Sequence, residues 1–363
     1  MKFVYKNCKL PDEPALMQQL EHAAAQLEEK MRKLDYKALP ISDYAKRYYA
    51  YDLRKLQYML QSYCYLILWS VHERGKPLDE ISLLDHGGGI GMLSLLAKSA
   101  GAKTVIYQDI NAEVANDAKI ISSALQISID EFVIGDTKDF VKQLIEKKLN
   151  VDIFGSRNVI EHVHDLNDFF AEMKNIPSEK LVLFLSTSAN IHNPAMRIYT
   201  RKYQRMAELK GARTEWGGNK LDESKALWKV RRNILKENFP QLNENELNKL
   251  ATASRGFMVE GIKKITEKYL LDKKFPAPIA DPCNTCDPFN GNWAEHLVPL
   301  REYKNICEAN GFQFSSLNGF YNTHYNKPYL NPAMKILNSL IKLFGKNGIV
   351  LAPFISICAV RKK

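Results

Sequence analysis

The stretch Ile81–Gly101 constrains the fold of this chain more than any other. A short apolar run ends in Asp85, four glycines follow within five residues, and a helix-forming segment from Met92 ends at Gly101. This order predicts a strand, a tight turn and a helix that begins at the turn. Glycine lets backbone N–H groups approach a ligand, and the positive end of the helix then faces it. The stretch is typical of the first βα unit of a nucleotide-binding sheet, and a plain βα turn with surplus glycine is the alternative.

Strands and helices alternate after this stretch, at the spacing of βαβ crossovers in a parallel sheet. Asp109 follows the second strand and is placed to accept both hydrogen bonds of a ribose diol. Asp136 follows the third strand, where its carboxylate either accepts a bond from an adenine amino group or only caps the next helix. The further predicted strands are Lys103–Tyr107, Phe132–Gly135, Val151–Phe154 and Lys180–Ser186.

These residues carry a resemblance to a known family. The run Asp85–Gly91 resembles the Asp/Glu-x-Gly-x-Gly-x-Gly signature of class I S-adenosylmethionine-dependent methyltransferases. Asp109 matches their acidic ribose ligand, and Gly135-Asp136 resembles their adenine-side motif. Asn158–Val163 resembles the hydrophobic-Glu-His run after their fourth strand. Dinucleotide-binding folds usually show Gly-x-Gly-x-x-Gly, so the glycine spacing here favours the methyl donor over NAD.

The resemblance implies an α/β fold with a Rossmann-like seven-stranded methyltransferase sheet, an N-terminal helical cap and a helical insertion after strand five. It implies a cap at 1–78, a donor-binding core at 79–189, a lid or acceptor-binding insertion at 190–300, and the end of the core sheet at 301–363. It also implies S-adenosylmethionine as the cofactor. The implied cofactor-binding residues are Asp85, His86, Gly87, Gly88, Gly89, Gly91, Asp109, Ile110, Asp136, Thr137 and Asn158.

The N-terminal region contains two helical stretches, residues 11–34 and 42–73. The second is rich in tyrosine, which favours packing against the core. The alternative is a cover over the ligand site, with Tyr44 or Tyr48 reaching the bound molecule.

The C-terminal region predicts a helix at Pro299–Asn310 and strands at Phe312–Tyr321 and Ile349–Arg361. Between the strands, Ala333–Phe344 is amphipathic. We expect this helix to pack on the sheet, and peripheral membrane contact is the alternative.

The insertion contains helical patterns at Ala195–Leu209, Ser224–Asn238, Glu244–Leu250 and Gly256–Leu271. Between Arg197 and Lys236 there are 12 Lys or Arg and 4 Asp or Glu. This surplus predicts recognition of an anionic acceptor, with a solvated helical face as the alternative. The basic residues singled out are Arg197, Arg201, Lys202, Arg205, Arg231 and Arg232, of which Arg197 and Arg201 are the named acceptor contacts.

Three histidines lie where a base for the reaction is expected. His192 follows strand five and is the preferred base, His164 is the second candidate, and the resemblance makes His162 largely structural. A turn-rich loop supplies Trp293, Glu295 and His296 as candidate acceptor contacts.

Metal binding is not predicted, although Cys283 and Cys286 form a CxxC pair. The chain has no second CxxC, and the spacing to His296 and Cys307 fits no standard zinc module.

The predicted function is methyl transfer to a small-molecule, sugar or lipid-linked glycan acceptor, at oxygen and with an anionic group nearby. One alternative is an RNA methyltransferase, which the net charge of +10 favours. The absence of an RNA-binding module and of Asn/Asp-Pro-Pro-Tyr/Phe after strand four disfavours it. Another is a non-catalytic S-adenosylmethionine-binding protein. Six scattered cysteines predict a reducing, cytoplasmic location, and the longest apolar run, Gly348–Val360, is shorter than the ~20 residues of a membrane span.

Overall fold

The computed structural model describes residues 9–211, 213–216, 219–223, 225–277, 284–325 and 327–362, with residues 213–216, 219–223 and 362 described by backbone alone. The helices are α1 Pro14–Lys33, α2 Asp43–Arg54, α3 Leu56–Arg74, α4 Met92–Ser99, α5 Ala112–Ala124, α6 Thr137–Glu146, α7 Leu166–Met173, α8 Pro194–Leu209, α9 Leu227–Asn238, α10 Glu244–Ala253, α11 Val259–Asp272, α12 Leu300–Ala309 and α13 Leu330–Leu343. The strands are β1 Ser82–His86, β2 Thr104–Asp109, β3 Glu131–Ile134, β4 Ile153–Arg157, β5 Lys180–Thr187, β6 Arg213–Trp216, β7 Asn219–Glu223, β8 Gln313–Asn318 and β9 Ile355–Lys362.

The chain divides into two compact units. The first comprises Met1–Ile160, Leu166–Ser188 and Leu300–Lys363, and the second comprises Glu161–Asp165 and Ala189–Pro299. Within the described parts of the chain, no helix combines the length and the apolar character that a bilayer span requires.

The first unit is built on a seven-stranded sheet of order β3-β2-β1-β4-β5-β9-β8. The first five strands run parallel, and β9 lies antiparallel to both β5 and β8. Because β1 to β5 are parallel, their carboxyl ends meet at one edge of the sheet, which is where ligands bind in open α/β sheets. The register there pairs His86 with Gln108 and Ser156.

Helix α3 is the central helix of the N-terminal region. It is apolar around most of its circumference, as expected of a helix buried on several sides, and its side chains join the core that Leu83, Val105 and Ile153 form on one sheet face. It ends at Gly75, whose left-handed backbone (φ 71°) caps the helix without a Cβ penalty.

The predicted α/β fold is confirmed: the sheet, the N-terminal helical region and the helical insertion after β5 are all present. The predicted helix at 42–73 was wrong in one respect, because the chain breaks at Lys55 into α2 and α3. The predicted last strand also began too early. A 3₁₀ turn over Gly345–Val350 precedes β9, which starts at Ile355.

Two further differences bear on the site. Strand β4 starts at Ile153 rather than Val151 and continues to Arg157, so that Arg157 lies at the carboxyl edge of the sheet. The insertion, predicted as helical, also contains the antiparallel hairpin of β6 and β7.

The second unit has a small core of its own. Apolar side chains of α9, α10 and α11 pack together around Leu235, Leu250 and Ile262. Helix α10 begins with a capping box in which Asn243 and Glu246 satisfy each other's backbone N–H groups, which fixes its start.

Candidate donor and acceptor sites

The glycine turn connects β1 to α4 and has a conformation that requires glycine. Gly87, Gly89 and Gly91 all have positive φ, at 63°, 53° and 83°. A Cβ at Gly88 would lie 2.5 Å from the Tyr107 ring, whereas a Cβ at Gly89 would meet nothing within 4 Å. The backbone at Gly89 therefore faces open space beside the sheet edge.

Asp109 lies at the end of β2, next to this turn. Its Oδ2 accepts a hydrogen bond from Gly89 N at 3.2 Å, and its Oδ1 accepts one from Asn111 N at 2.9 Å. The Tyr107 hydroxyl donates to Gly89 O at 2.7 Å and so holds the turn from the other side. Burial raises the pKa of Asp109. Each carboxylate oxygen has lone pairs left for further donors, as a diol would provide.

Asp85 faces the interior. Its Oδ2 accepts hydrogen bonds from Ser94 N at 3.0 Å and from Ser94 Oγ at 2.8 Å, in the first turn of α4. A carboxylate at this position satisfies a free N–H group at the helix start and favours the helix dipole. Burial raises the pKa of Asp85 to about 7. Asp85 therefore fixes the helix that follows the turn.

His86 packs between aromatic rings. Its ring centroid lies 4.9 Å from that of Phe154, 5.6 Å from Phe140 and 5.7 Å from Phe169. Its Nδ1 donates to Gln108 Oε1 at 2.5 Å, and burial lowers the pKa of His86 to about 4. A neutral, packed imidazole supports the turn from beneath.

Gln108 is a site residue that the sequence analysis missed. Besides accepting from His86, its side chain donates to Gly135 O at 2.8 Å, and its backbone carbonyl accepts from Gly88 N at 3.0 Å. This one buried side chain thus ties the ends of β1, β2 and β3 together. The only sequence signal was its place before Asp109 on the second strand.

The remaining predicted donor residues line the same edge in different ways. Asp136 is exposed, and its Oδ1 caps α6 by accepting from Lys138 N and Asp139 N. Thr137 begins that helix, and Ile110 is largely exposed beyond β2. Asn158 has a left-handed backbone (φ 57°), and its Oδ1 accepts from Ser188 N at 3.2 Å. The sheet brings these residues to one edge, and their contacts with a donor stay predictions.

A second group of charged and aromatic side chains lies at this edge and was also missed. The half-buried Arg157, at the end of β4, donates to Met59 Sδ at 3.4 Å, and its Cζ lies 6.0 Å from the Tyr58 ring centroid. The charges of Tyr48, Tyr63 and Asp52 also act on it. Among the described residues, no carboxylate lies within 4 Å of the Arg157 guanidinium.

Asp52 of α2 is the acidic member of this group. Its side chain is 2% exposed, and within the described chain its Oδ1 has no hydrogen-bond partner. Lys55 Nζ lies 3.8 Å from that oxygen. Burial raises the pKa of Asp52 to about 6 and lowers the pKa of Lys55 to about 8. Buried groups with shifted pKa values at a ligand-binding edge are functional candidates.

The second unit brings several predicted acceptor residues together. The Trp293 ring stacks between His164, at 5.4 Å, and His296, at 4.4 Å. Trp293 Nε1 donates to His164 O, and His164 Nδ1 donates to Gly291 O at 3.1 Å. Burial raises the pKa of Glu295 in the same loop. These residues form one rigid aromatic and polar cluster.

His192 stands apart from that cluster in the chain, two residues before α8. Its backbone N donates to Asn190 Oδ1 at 3.0 Å, and burial lowers its pKa. An imidazole that is neutral near pH 7 is suited to accept a proton. Its role as the base stays a prediction.

The basic residues of the insertion separate into two kinds. Arg197 and Arg201 lie on α8, exposed and half-buried respectively. Arg231 is fully buried and bonded to Glu208 at 2.5 Å, and Arg232 pairs with Glu244. Including Arg231 in an anion-binding surface was therefore wrong, because its charge is already neutralised inside the unit.

No group of three His, Cys, Asp or Glu side chains in the described regions is placed to hold a metal ion. Cys286 is buried, and Cys283 lies outside those regions.

The site and the topology together decide the fold. A glycine turn after β1, an acid at the end of β2, and a seventh strand inserted antiparallel between β5 and β8 occur in one sheet. The chain has the class I S-adenosylmethionine-dependent methyltransferase fold. Topology carries this assignment, since no family model matches the chain.

Comparison with known proteins finds distant relatives of this class I fold. A ubiquinone biosynthesis O-methyltransferase of Pelagibacter ubique (strain HTCC1062) is 26% identical over 119 residues, which are 33% of this chain and 47% of that protein. The match thus spans about half the length of that relative.

Solved structures with a likeness to the class I fold of this chain are also distant. The YcgJ protein from Bacillus subtilis is 13% identical, with 82% of this chain and 98% of that chain covered and a TM-score of 0.38. A putative S-adenosylmethionine-dependent methyltransferase from Listeria monocytogenes is 12% identical, with 81% and 98% covered and a TM-score of 0.36. A methyltransferase from Mesorhizobium loti is 13% identical, with 81% and 97% covered and a TM-score of 0.38.

Proposed function

We propose that this protein is an S-adenosylmethionine-dependent methyltransferase that methylates an oxygen of an anionic small-molecule, sugar or lipid-linked glycan acceptor. The observation that carries the proposal is the contact between the Gly89 backbone and the Asp109 carboxylate at the carboxyl edge of the sheet. The name of the Pelagibacter relative, an O-methyltransferase, agrees with it over the aligned residues.

The residues at this edge fit the methyl donor. The open space at Gly89 leaves room for a ligand against the backbone, and α4 directs its positive end there. Asp109 has spare lone pairs for the two ribose hydroxyls, while Asp136, Thr137, Ile110 and Asn158 would surround the adenine and the methionine portion. The bound donor supplies an activated sulfonium methyl group, so the task of the protein is largely alignment of the nucleophile.

Arg157 supports an anionic acceptor. A guanidinium whose partners are a thioether and aromatic rings keeps its strong donors available, and two parallel N–H groups fit a carboxylate or a phosphate. The tyrosine rings beside it suit the apolar face of a ring-shaped acceptor. Arg197 and Arg201 on α8, with Trp293, Glu295 and His296, are further proposed acceptor contacts. His192 and His164 are proposed bases.

Donor binding is tested by thermal melting with S-adenosylhomocysteine. We expect saturating ligand to raise the melting temperature of the wild type by mass action, and Asp109→Ala to abolish this shift. Asp130→Ala is the matched control, since Asp130 also lies between β2 and β3 but pairs with Lys98. No shift for the wild type would refute the donor assignment.

Methyl transfer is tested with labelled donor and a panel of hydroxylated acids, phosphosugars and neutral sugars. We expect label to enter an anionic member. Donor binding without transfer to any acceptor would favour the non-catalytic alternative, and transfer to RNA would replace the proposed acceptor class.

A further inference from the structure

Helix α13 exposes a continuous apolar stripe. Tyr329, Ile336 and Leu343 recur every seven residues, which is two helical turns, so they lie along one face. Their exposed fractions are 69%, 62% and 77%. Phe344 and Val350, just beyond the helix, are also about half exposed. Contiguous exposed apolar residues of this size mark an interaction surface on a folded protein.

The stripe stays exposed because other residues attach the helix. The Asn338 side chain bonds both backbone groups of Tyr321, accepting from N at 2.7 Å and donating to O at 3.0 Å. Ile341 is buried, and the carbonyl of Ile341 lies so close to Gly348 that a Cβ there would be 2.3 Å away. Helix α13 is thus fixed in place through one face while Ile336 and Leu343 point away.

Lysines accompany the stripe without any acid. Lys335 and Lys342 each precede a stripe residue by one position, and Lys327 and Lys346 flank the helix. None of the four has a carboxylate within 4 Å in the described chain. The sequence from Ala309 to Lys363 contains seven Lys or Arg and no Asp or Glu. The whole region is therefore positively charged around an apolar surface.

We propose that α13 docks on an anionic membrane surface and lies in the plane of the interface. The charge decides between occupants, because a second copy of this face would bring the lysines against each other, whereas anionic headgroups complement them. In this position Ile336, Leu343 and Phe344 enter the boundary between headgroups and acyl chains. Tyr329 sits at headgroup depth, and the lysines reach the phosphates.

Vesicle co-sedimentation of the full chain tests the proposal. The probes are phosphatidylcholine vesicles with and without roughly one quarter phosphatidylglycerol. We expect the protein to pellet with the anionic vesicles and to remain mostly in solution with phosphatidylcholine alone. Added salt weakens the binding, since the Debye length falls to about 3 Å at 1 M.

Two variants separate the apolar contribution from the charged one. We expect Ile336→Ser/Leu343→Ser to lower vesicle affinity by about tenfold or more, because both apolar anchors are lost. Lys335→Gln/Lys342→Gln should remove most of the preference for anionic lipid. The matched controls are Leu271→Ser, at an apolar position of α11 that is 88% exposed, and Lys264→Gln/Lys268→Gln on the same helix.

All substituted positions of α13 are exposed, so the melting temperature of each variant should stay near that of the wild type. Equal pelleting of wild type and Ile336→Ser/Leu343→Ser would overturn the proposal, as would no pelleting with anionic vesicles. A lipid-free dimer that the same double substitution dissociates would also overturn it and assign the stripe to a second copy. None of these readouts depends on methyl transfer.

Discussion

The Asp109 carboxylate and the Gly89 backbone are joined by a hydrogen bond of 3.2 Å across the carboxyl edge of the sheet. The bond sets the second strand against the turn after the first. It leaves one side of Gly89 open, because no atom lies within 4 Å of the position that a Cβ would occupy. Stability and ligand binding can therefore be separated at this residue.

Gly89→Ala should lose binding of S-adenosylhomocysteine. The positive φ of 53° costs an L-residue about 1–2 kcal/mol of stability, and the new methyl group points into the proposed donor space. We expect calorimetry to show donor affinity reduced about tenfold or more, since a 1 Å displacement of a bound ligand is costly.

Gly75→Ala is the matched control for that substitution. Gly75 also has positive φ, at 71°, and nothing within 4 Å of the Cβ position, but it caps α3 away from the turn. Both variants should lose similar stability, and only Gly89→Ala should lose affinity. Equal affinity in the two would place the donor elsewhere.

The donor side of the site could be predicted because its residues directly follow strands. Glycines after β1 and Asp109 after β2 are visible as patterns, and parallel strands bring their carboxyl ends together without further information. Gln108 could not be predicted in this way. Its importance arises from the register that pairs it with His86, and a glutamine before an acid has no pattern of its own.

Arg157 and Asp52 could not be predicted as neighbours. Asp52 reads as a polar position in a helical stretch, and its burial follows from the break at Lys55 that separates α2 from α3. Arg157 was expected to lie beyond the end of its strand, and only the observed register of β4 places it at the edge. Packing between distant segments produces this group, and no local pattern encodes it.

Asp136→Ala tests the adenine side. Removing the cap of α6 should cost about 1 kcal/mol of stability, measured by urea unfolding. Asp136→Asn keeps a capping side chain and should restore most of that loss. If the carboxylate also binds the adenine amino group, calorimetry will show weaker binding of S-adenosylhomocysteine in Asp136→Ala. Unchanged affinity would assign Asp136 to the cap alone.

Asp52 should make the stability of the protein depend on pH between about 4 and 6. Its pKa is about 6 in the folded chain and near 3.8 when unfolded, so the folded state binds more protons in this range. Its contribution to stability is full below pH 4 and is lost as the pH rises through 6. Urea unfolding of Asp52→Asn should therefore show a smaller fall across this window. Parallel curves for variant and wild type would contradict the buried carboxyl.

Arg157 should decide between anionic and neutral acceptors. In calorimetry with protein saturated by S-adenosylhomocysteine, we expect D-glucuronate or D-glucose 6-phosphate to bind about tenfold more tightly than D-glucose, since a charge-assisted pair contributes about 1.5–3 kcal/mol. Arg157→Gln should abolish this preference, and Arg157→Lys should retain part of it because it keeps the charge without the bidentate geometry.

Asp52→Asn provides the opposite sign at the same site. Loss of a negative charge beside Arg157, Lys55, Tyr48 and Tyr63 should tighten binding of the anionic sugars, and wild-type binding should tighten likewise as the pH falls through 6. Arg54→Gln is the control, because Arg54 is an exposed cation of the same helix. A purely structural arginine would weaken all three sugars equally in Arg157→Gln and would leave Asp52→Asn without effect. That pattern would move anion recognition to Arg197 and Arg201 on α8.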